Sequence, residues 1–378
     1  MNNKKDRFDD FEPAESKDLE NESLDLKDPF DPKEIDIQVQ QTTMSTLIDR
    51  LAHNEIDLNP DFQRTADLWN SKTKGRLIES LLIRFPIPAF YFDATDEDKW
   101  LVVDGLQRLT SIKKFVIDKN LKLNGLEFIK EFEKKNYDNL PRTFKRRIDQ
   151  APVTLYLIKP GTPQNVKYSL FYRINTGGLT LNPQEIRHAL SQSINDAQAS
   201  IFLKRLSDLE IFQRCVRVSD RRMLDKELVL RYIAFKLTDF KHYKEPMIKF
   251  LNDTMEDLGK IKTSRLELLE KGFEKAITLA WEIFEEDAFR KSILDKQSTR
   301  KVVNRALFEV VTVVFSDLND DEAAIIKSNK QGFVNDYLNL LGEKKFNEAI
   351  STTYSKNIIY RFEKFQNLVN IHIAKAEG

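Results

Sequence analysis

The spacing of apolar and polar residues predicts a chain made of two different halves. Up to about residue 190, short apolar runs typical of strands alternate with segments whose apolar residues recur every three or four positions, as in helices. Ile35, Ile37 and Val39 alternate with polar residues and predict a half-buried strand. We therefore expect a mixed α/β or α+β domain here. Its other predicted strands cover residues 89–92, 100–103 and 153–158, and its predicted helices cover residues 44–53, a segment capped by Ser71, and residues 165–172.

The second half has the pattern of amphipathic helix almost throughout. Glycine becomes sparse and alternating apolar runs disappear. We expect an N-terminal domain over residues 35–195 and an all-helical domain over residues 196–378, with the boundary near 190–200. The predicted helices of the second domain cover residues 197–206, 225–238, 245–258, 264–285, 299–315, 321–341 and 357–374.

The first 34 residues differ from the rest in charge. They carry twelve acidic and six basic residues and show little apolar periodicity, so we expect an acidic, disordered tail. This tail is either a solvated linker or a segment that competes with nucleic acid for a basic surface. The remaining chain holds 54 basic and 48 acidic residues, an excess that permits contact with nucleic acid without requiring it.

Composition excludes several classes of site. Cys215 is the only cysteine, so neither an internal disulfide nor a cysteine-based zinc cluster can form. His53, His188, His242 and His372 lie far apart, without metal-ligand spacing. The longest apolar stretches are too short to span a bilayer, and the N-terminus is acidic where a secretory signal is basic and then apolar. We expect a cytoplasmic protein without a membrane segment.

Residues 103–112 carry the most specific functional pattern. An apolar run ends at Asp104 and Gly105, and helical apolar spacing resumes at Leu109. A glycine turn between a strand and a helix brings backbone N–H groups and the positive end of a helix dipole to one point, which suits an anion. The alternative is an ordinary turn in which Asp104 only caps the helix. The candidate phosphate or metal residues of this segment are Asp104, Gly105, Gln107, Arg108 and Thr110.

Two further segments add candidate ligands. Gln63 and Arg64 are adjacent, so in an extended segment one can face a ligand while the other pairs with a structural carboxylate. Residues 173–178 combine an arginine, an asparagine and two glycines that are free to adopt unusual backbone angles. The ligand candidates of this second segment and the helix after it are Arg173, Asn175, Gly177, Gly178 and Arg187.

Some other residues in these regions have ordinary structural explanations. Asn182, followed by Pro183 and Glu185, fits the start of a helix with a capping box. Cys215 lies between two arginines that could lower its pKa, but a lone cysteine in a helical domain is more often a packed side chain.

Four motifs in fixed order resemble the N-terminal domain family of GmrSD-type, modification-dependent restriction endonucleases. That family is similar in fold to the ParB nuclease and sulfiredoxin group, and the resemblance covers about residues 36–195. One departure is Leu106, where the commonest family form has glutamine. The motifs are residues 59–64, residues 76–82 with 86–88, residues 103–110, and residues 171–178 continuing through 184–187.

The resemblance implies that the chain binds and hydrolyses a nucleoside triphosphate. Asp104, Gly105, Gln107 and Arg108 match the phosphate site of the family. Gln63 and Arg64 match its first motif, and Arg173, Asn175 and Gly178 match its last. In relatives this domain serves anti-phage defence by coupling nucleotide turnover to action on foreign or modified DNA.

The expected chemistry is electrostatic. Backbone N–H groups at Gly105, together with Arg108 and either Arg64 or Arg173, neutralise the polyphosphate, and Asp104 holds a Mg²⁺ ion. An ordered water is the expected nucleophile.

The nuclease half of the GmrSD-type enzymes is an HNH-like domain with clustered histidine and asparagine. Residues 195–378 of this chain contain only two histidines, His242 and His372, which are far apart in sequence. We therefore expect a separate nuclease subunit as partner. The alternatives are a module that grips DNA phosphate without hydrolysis and a regulatory partner subunit.

Overall fold

The computed structural model describes residues 36–58, 69–174, 182–193, 198–217, 223–294 and 302–377. The tail expected over residues 1–34 lies outside these ranges. Internal contacts divide the described chain into two units. The sheet unit comprises residues 36–182 with 192–193, and the helical unit comprises residues 183–191 and 198–377. The mixed α+β class with a mostly helical remainder is thus confirmed, and the likeness to ParB and sulfiredoxin stays a prediction.

The sheet unit is built on one five-stranded sheet in the order β1-β5-β3-β4-β2. The pairs β1/β5 and β3/β4 are antiparallel, whereas β5/β3 and β4/β2 are parallel. The longer strands lie where the apolar runs predict them, and the two-residue β2 is too short to leave a sequence pattern. The strands are β1 Ile37–Thr43, β2 Ile56–Asp57, β3 Phe90–Asp93, β4 Trp100–Asp104 and β5 Pro152–Ile158.

Five helices accompany the sheet. The second begins at Ser71 with Asn70 as its N-cap, since the Asn70 side chain accepts a hydrogen bond from Thr73 N–H at 2.9 Å. Ser71 is therefore the first helical residue and not the predicted cap, because the free amide oxygen one residue earlier reaches the unpaired N–H group. The helices are α1 Met44–Ala52, α2 Ser71–Leu82, α3 Leu106–Ile112 (continued by a π-helical turn, Lys113–Ile117), α4 Arg142–Asp149 and α5 Gln164–Ile174.

The sheet has one core face and one partly open face. Leu155 and Leu157 of β5 pair with Phe90 and Phe92 of β3 on the core face, where all four side chains are buried. On β1 the predicted inward residue Val39 is instead 56% exposed. The prediction of its face is wrong because β1 is an edge strand whose register places its glutamines, such as Gln40, opposite the core leucines of β5.

The helical unit contains eleven α-helices within the described residues. The predicted helix over residues 321–341 is two helices, because Asn329 leaves helical geometry at φ −107°, ψ 34° and its side chain lies 3.3 Å from His372 Nδ1. The helix predicted from residue 299 instead starts at Arg305, where Asn304 caps Leu307 N–H. The helices are α6 Pro183–Ser193, α7 Gln198–Ser207, α8 Glu210–Val216, α9 Leu224–Leu237, α10 Met247–Leu258, α11 Thr263–Phe284, α12 Arg305–Asp317, α13 Asp320–Ser328, α14 Lys330–Gly342, α15 Lys344–Ala349 and α16 Ser355–Glu377.

Charged side chains are buried at the centre of the helical unit. Glu309 of α12 accepts hydrogen bonds from Arg231 of α9 and Arg361 of α16, and all three side chains are 0% exposed. Glu227 contacts Arg231 and Arg305 at 3.0 and 3.1 Å. These ion pairs join three helices that are distant in sequence. Among the described helices, none is both long and apolar enough to cross a membrane.

Candidate functional site

The turn between β4 and α3 has the geometry that residues 103–112 predict. Strand β4 ends at Asp104, Gly105 adopts φ +107°, and α3 starts at Leu106. A Cβ atom on Gly105 would lie 2.4 Å from Phe90 Cδ1, which is closer than real Cβ contacts occur. Both the positive φ and the close approach therefore require glycine. The first N–H groups of an α-helix such as α3 have no acceptor within the helix.

Arg108 stabilises this turn through hydrogen bonds to three acceptors. Its Nη2 donates to Asp104 Oδ2 at 2.8 Å and to the Ala89 carbonyl oxygen at 3.1 Å, and its Nη1 donates to the Pro88 carbonyl. The guanidinium also lies over the Phe90 ring, with Cζ 4.5 Å from the centroid. Burial lowers the pKa of Arg108, which is 8% exposed, and Asp104 partly offsets that effect. Arg108 thus holds Asp104 and the chain before β3 in one arrangement.

Asp104 is the acidic group that faces outward at this turn. Its side chain is 37% exposed, and only Oδ2 is engaged, by Arg108. Oδ1 carries no hydrogen bond from the part of the chain that the structure describes. A single carboxylate with one open oxygen fits Mg²⁺, which usually binds one or two carboxylates and completes its shell with water and phosphate oxygens. Within the described ranges, no group of three acidic, histidine or cysteine side chains could hold a metal on its own.

Two other candidates lie on α3. The Gln107 side-chain oxygen accepts a hydrogen bond from Trp69 N–H at 3.4 Å. The Thr110 hydroxyl is buried, and its oxygen has no hydrogen-bond partner among the described residues. The structure therefore brings Asp104, Gly105, Gln107, Arg108 and Thr110 together, since all five belong to one strand end and one helix.

A pair of stacked tyrosines stands on the open face of the sheet next to Asp104. Tyr91 of β3 is in register with Tyr156 of β5 on one side and with Asp104 of β4 on the other. The two rings are almost parallel, with centroids 4.6 Å apart and an interplanar angle of 8°. Sequence reasoning missed this pair because it depends on the register of strands 65 residues apart. The polar phenol within each apolar strand is the signal that could have indicated a second, exposed face.

A buried ion pair on the same face was also missed. Lys167 Nζ of α5 donates to Asp93 Oδ2 at 2.8 Å and to the Thr95 hydroxyl, and both charged side chains are almost completely buried. Thr95 also donates its backbone N–H to Asp93 Oδ1 at 3.0 Å. These bonds hold α5 against the sheet at the end of β3 that carries Asp93.

One comparison with known proteins gives a match to part of the chain. Residues 45–192 match the family described as GmrSD restriction endonuclease, N-terminal domain. These residues form a GmrSD N-terminal domain. No curated protein and no solved structure matches the chain. The match confirms the resemblance inferred from the four motifs, and it includes the Asp104-Gly105 turn, the tyrosines and α5.

The remaining predicted ligands of the GmrSD N-terminal domain are placed in different ways. Arg173 is exposed in the last turn of α5. Arg187 lies inside the helical unit, where it is 3% exposed and donates to Gln184 at 3.0 Å and to Asn252 at 3.2 Å. These bonds engage Arg187 with residues of the helical unit. Outside the described residues lie Gln63, Arg64, Asn175, Gly177 and Gly178.

Cys215 of the helical unit is not an activated thiol. Burial raises its pKa to about 12, and the nearby Arg290 offsets this only in part. The arginine that lowers the pKa of the thiol is thus Arg290, which is distant in sequence. Arg214 and Arg217, beside Cys215, do not lower the pKa enough to produce a thiolate. The packed side chain expected for a lone cysteine is what the structure shows.

Proposed function

We propose that the GmrSD N-terminal domain of this chain binds a nucleoside triphosphate at the Asp104-Gly105 turn and hydrolyses it. The observation that carries this proposal is the outward carboxylate oxygen of Asp104 beside the first N–H groups of α3, in a turn that only glycine can form. The family match supports a role of the restriction or anti-phage type. A fold like that of ParB and sulfiredoxin is part of the same proposal.

Each residue of the proposed site has a separate role in binding or hydrolysis. The backbone N–H groups after Gly105 bind phosphate oxygens, and Arg108 keeps Asp104 in place through its bonds to Pro88 and Ala89. Arg173, and Arg64 outside the described residues, are the cations proposed to approach the outer phosphates. A water molecule attacks the γ-phosphorus, the bond to the bridging oxygen breaks, and the water proton passes to the phosphate products or to solvent.

Asp104 is the residue that would hold Mg²⁺. A bound Mg²⁺ ion neutralises charge on the phosphate oxygens. Arg108 contributes by fixing Oδ2, which leaves the direction of Oδ1 set before any ligand binds. The pairing thus orients the carboxylate without occupying both of its oxygens.

We also propose DNA as the target of the assembly and a separate nuclease subunit as its partner. The only histidines after residue 195 are His242 and His372, so the sequence lacks the histidine and asparagine cluster of an HNH domain. Nucleotide turnover in this chain would then control cleavage carried out by another chain.

Release of inorganic phosphate from a panel of nucleoside triphosphates, with and without plain and modified DNA, tests the proposal. Asp104→Asn should reduce turnover about 100-fold, the usual cost of removing one electrostatic contact. Arg108→Lys should also reduce turnover, because Asp104 then loses the partner that fixes Oδ2. Asp98→Asn is the matched control, because Asp98 is an exposed aspartate of the same unit. Unchanged turnover in both site variants overturns the mechanism. If the unmodified protein releases no phosphate but binds DNA with a steep salt dependence, the sheet unit is a DNA-phosphate module without hydrolysis.

A further inference from the structure

Tyr91, Tyr156 and Asp104 form a row across the open face of the sheet. We propose that the tyrosine pair, Tyr91 and Tyr156, is a stacking surface for the base of the nucleotide whose phosphates lie at the Asp104-Gly105 turn. This inference rests on the proposed function and specifies the ligand of the same site. It assigns the tyrosines a binding role that neither the motifs nor the family match supplies.

The spacing of the strands fits one nucleotide. Neighbouring strands lie about 4.8 Å apart, so β5 lies about 10 Å from β4 across the sheet. Tyr91 is the direct cross-strand neighbour of Asp104, and Tyr156 is the next residue along the row. A nucleotide with its phosphates at the turn can therefore extend its sugar and base toward the tyrosine pair.

The tyrosine rings are held in place before any ligand arrives. Each ring is packed against the other at 4.6 Å and 8°, so neither rotates without losing that contact. Both residues are only half-buried, whereas Phe90 and Phe92 on the opposite face of β3 are 0% exposed. The core is complete without the tyrosines, so they are available for contact with a ligand. A rigid aromatic side chain loses little conformational entropy when it binds.

Electrostatics links the tyrosine pair to the turn. Burial, followed by Tyr156 and Asp104, raises the pKa of Tyr91, and Arg108 lowers it in part. Charges at the turn thus act on the phenol, as expected for groups on the same surface. The phenol stays neutral near pH 7 and can donate a hydrogen bond.

The other end of the open face does not compete for the ligand. Helix α5 covers that end through the buried contact between Lys167 and Asp93. Tyr91 and Tyr156 are both partly exposed, and Tyr91 lies next to Asp104. Each ring covers one face of the other, so a base stacks on an outer face of the pair. Stacking uses the flat face that every base has, so the pair should bind purine and pyrimidine nucleotides alike.

Calorimetric binding of ATP and of inorganic tripolyphosphate, each with Mg²⁺, tests the inference separately from the proposed function. Tyr91→Ala and Tyr156→Ala should each weaken ATP about 10-fold, since base stacking on an aromatic residue contributes this much, and should leave tripolyphosphate binding within about 2-fold. Tyr91→Phe and Tyr156→Phe keep the ring and should bind ATP normally. Tyr354→Ala, at a 52% exposed tyrosine of the helical unit, is the control.

Three outcomes overturn the inference. The first is unchanged ATP affinity in both alanine variants, and the second is an equal loss of ATP and tripolyphosphate, which means that the turn itself was damaged. The third is unmodified protein that binds tripolyphosphate as tightly as ATP. This result would support the phosphate site but would show that the base contributes no binding. If neither compound binds, the proposed function fails as well. Tyr91→Leu and Tyr156→Leu retain apolar volume and provide folded variants without a ring if the alanine variants unfold.

Discussion

Replacing Glu309 by glutamine should destabilise the helical unit severely. The glutamate oxygens accept hydrogen bonds from Arg231 Nη1 and Arg361 Nη2, and none of the three side chains is exposed to solvent. Arg361 also donates to the carbonyl oxygens of Ala349 and Thr352. The guanidinium groups are therefore held in place and cannot turn toward water when the negative charge is removed.

The size of the effect follows from burial. Removing one partner of a buried ion pair costs about 3–5 kcal/mol when the other charge stays buried without compensation. Arg361 is left with carbonyl acceptors alone, whereas Arg231 retains Glu227 at 3.0 Å, so the cost arises mainly at Arg361. Glutamine keeps the volume of glutamate and one acceptor oxygen, so no cavity adds to this cost. Domains are typically stable by about 5–15 kcal/mol, and the variant should lose a large part of that margin.

Urea unfolding followed by far-ultraviolet circular dichroism measures this loss, because the helical unit contributes much of the helix signal. Glu343→Gln is the matched control: Glu343 pairs with Lys364 at 3.7 Å, with side chains 48% and 41% exposed, and should cost less than about 1 kcal/mol. A loss below about 1 kcal/mol for Glu309→Gln would refute the reasoning, since it would mean that water reaches the arginines.

Three further predictions concern other parts of the chain. Gly105→Ala should destabilise the sheet unit by more than about 2 kcal/mol and reduce nucleotide binding, because φ +107° and the contact with Phe90 both exclude a side chain; a melting temperature equal to that of the unmodified protein contradicts this. Cys215 should resist alkylation near pH 8 until the protein unfolds, since burial raises its pKa to about 12, and rapid labelling of native protein would show that the thiol is open. Burial opposes the charge of Glu227, but Arg305 and then Arg231 outweigh burial and lower its pKa from 4.5 to about 2. Its contribution to stability should be complete above about pH 4.5 and lost as pH falls toward 2, so Glu227→Gln should flatten the acid limb of the curve of unfolding free energy against pH.

Local patterns were enough to predict most of the elements. The apolar runs locate β3, β4 and β5, and 3.6-residue spacing locates α1, α2 and the long helices of the second half. The glycine turn was predictable because only a few residues determine it. Val39 shows the limit: alternation predicts a strand, but the buried face depends on the partner strand, which is more than 100 residues away.

The candidate site was predicted in position and only partly in detail. Arg108 has the fork expected of a phosphate ligand, yet its terminal nitrogens are bonded to Pro88, Ala89 and Asp104. Asp104 lies within the motif, but Pro88 and Ala89 lie 20 and 19 residues before Arg108, so residues 103–112 alone do not predict these two contacts. The tyrosine pair likewise arises from strand order. Residue type and spacing predict which chemistry is available, whereas long-range packing decides which atoms remain open.

The position of β5 between β1 and β3 has a consequence for biosynthesis. Strands β1 and β3 have no direct pairing and share only β5, which is complete at Ile158. In a nascent chain β3 can pair with β4 early. Strand β1 has no pairing partner until more than 100 further residues, including β5, have been synthesised. During this interval the β3 edge that will receive β5 is open to other strands. The sheet unit therefore closes late, and binding of a chaperone to the emerging chain should concentrate in this interval.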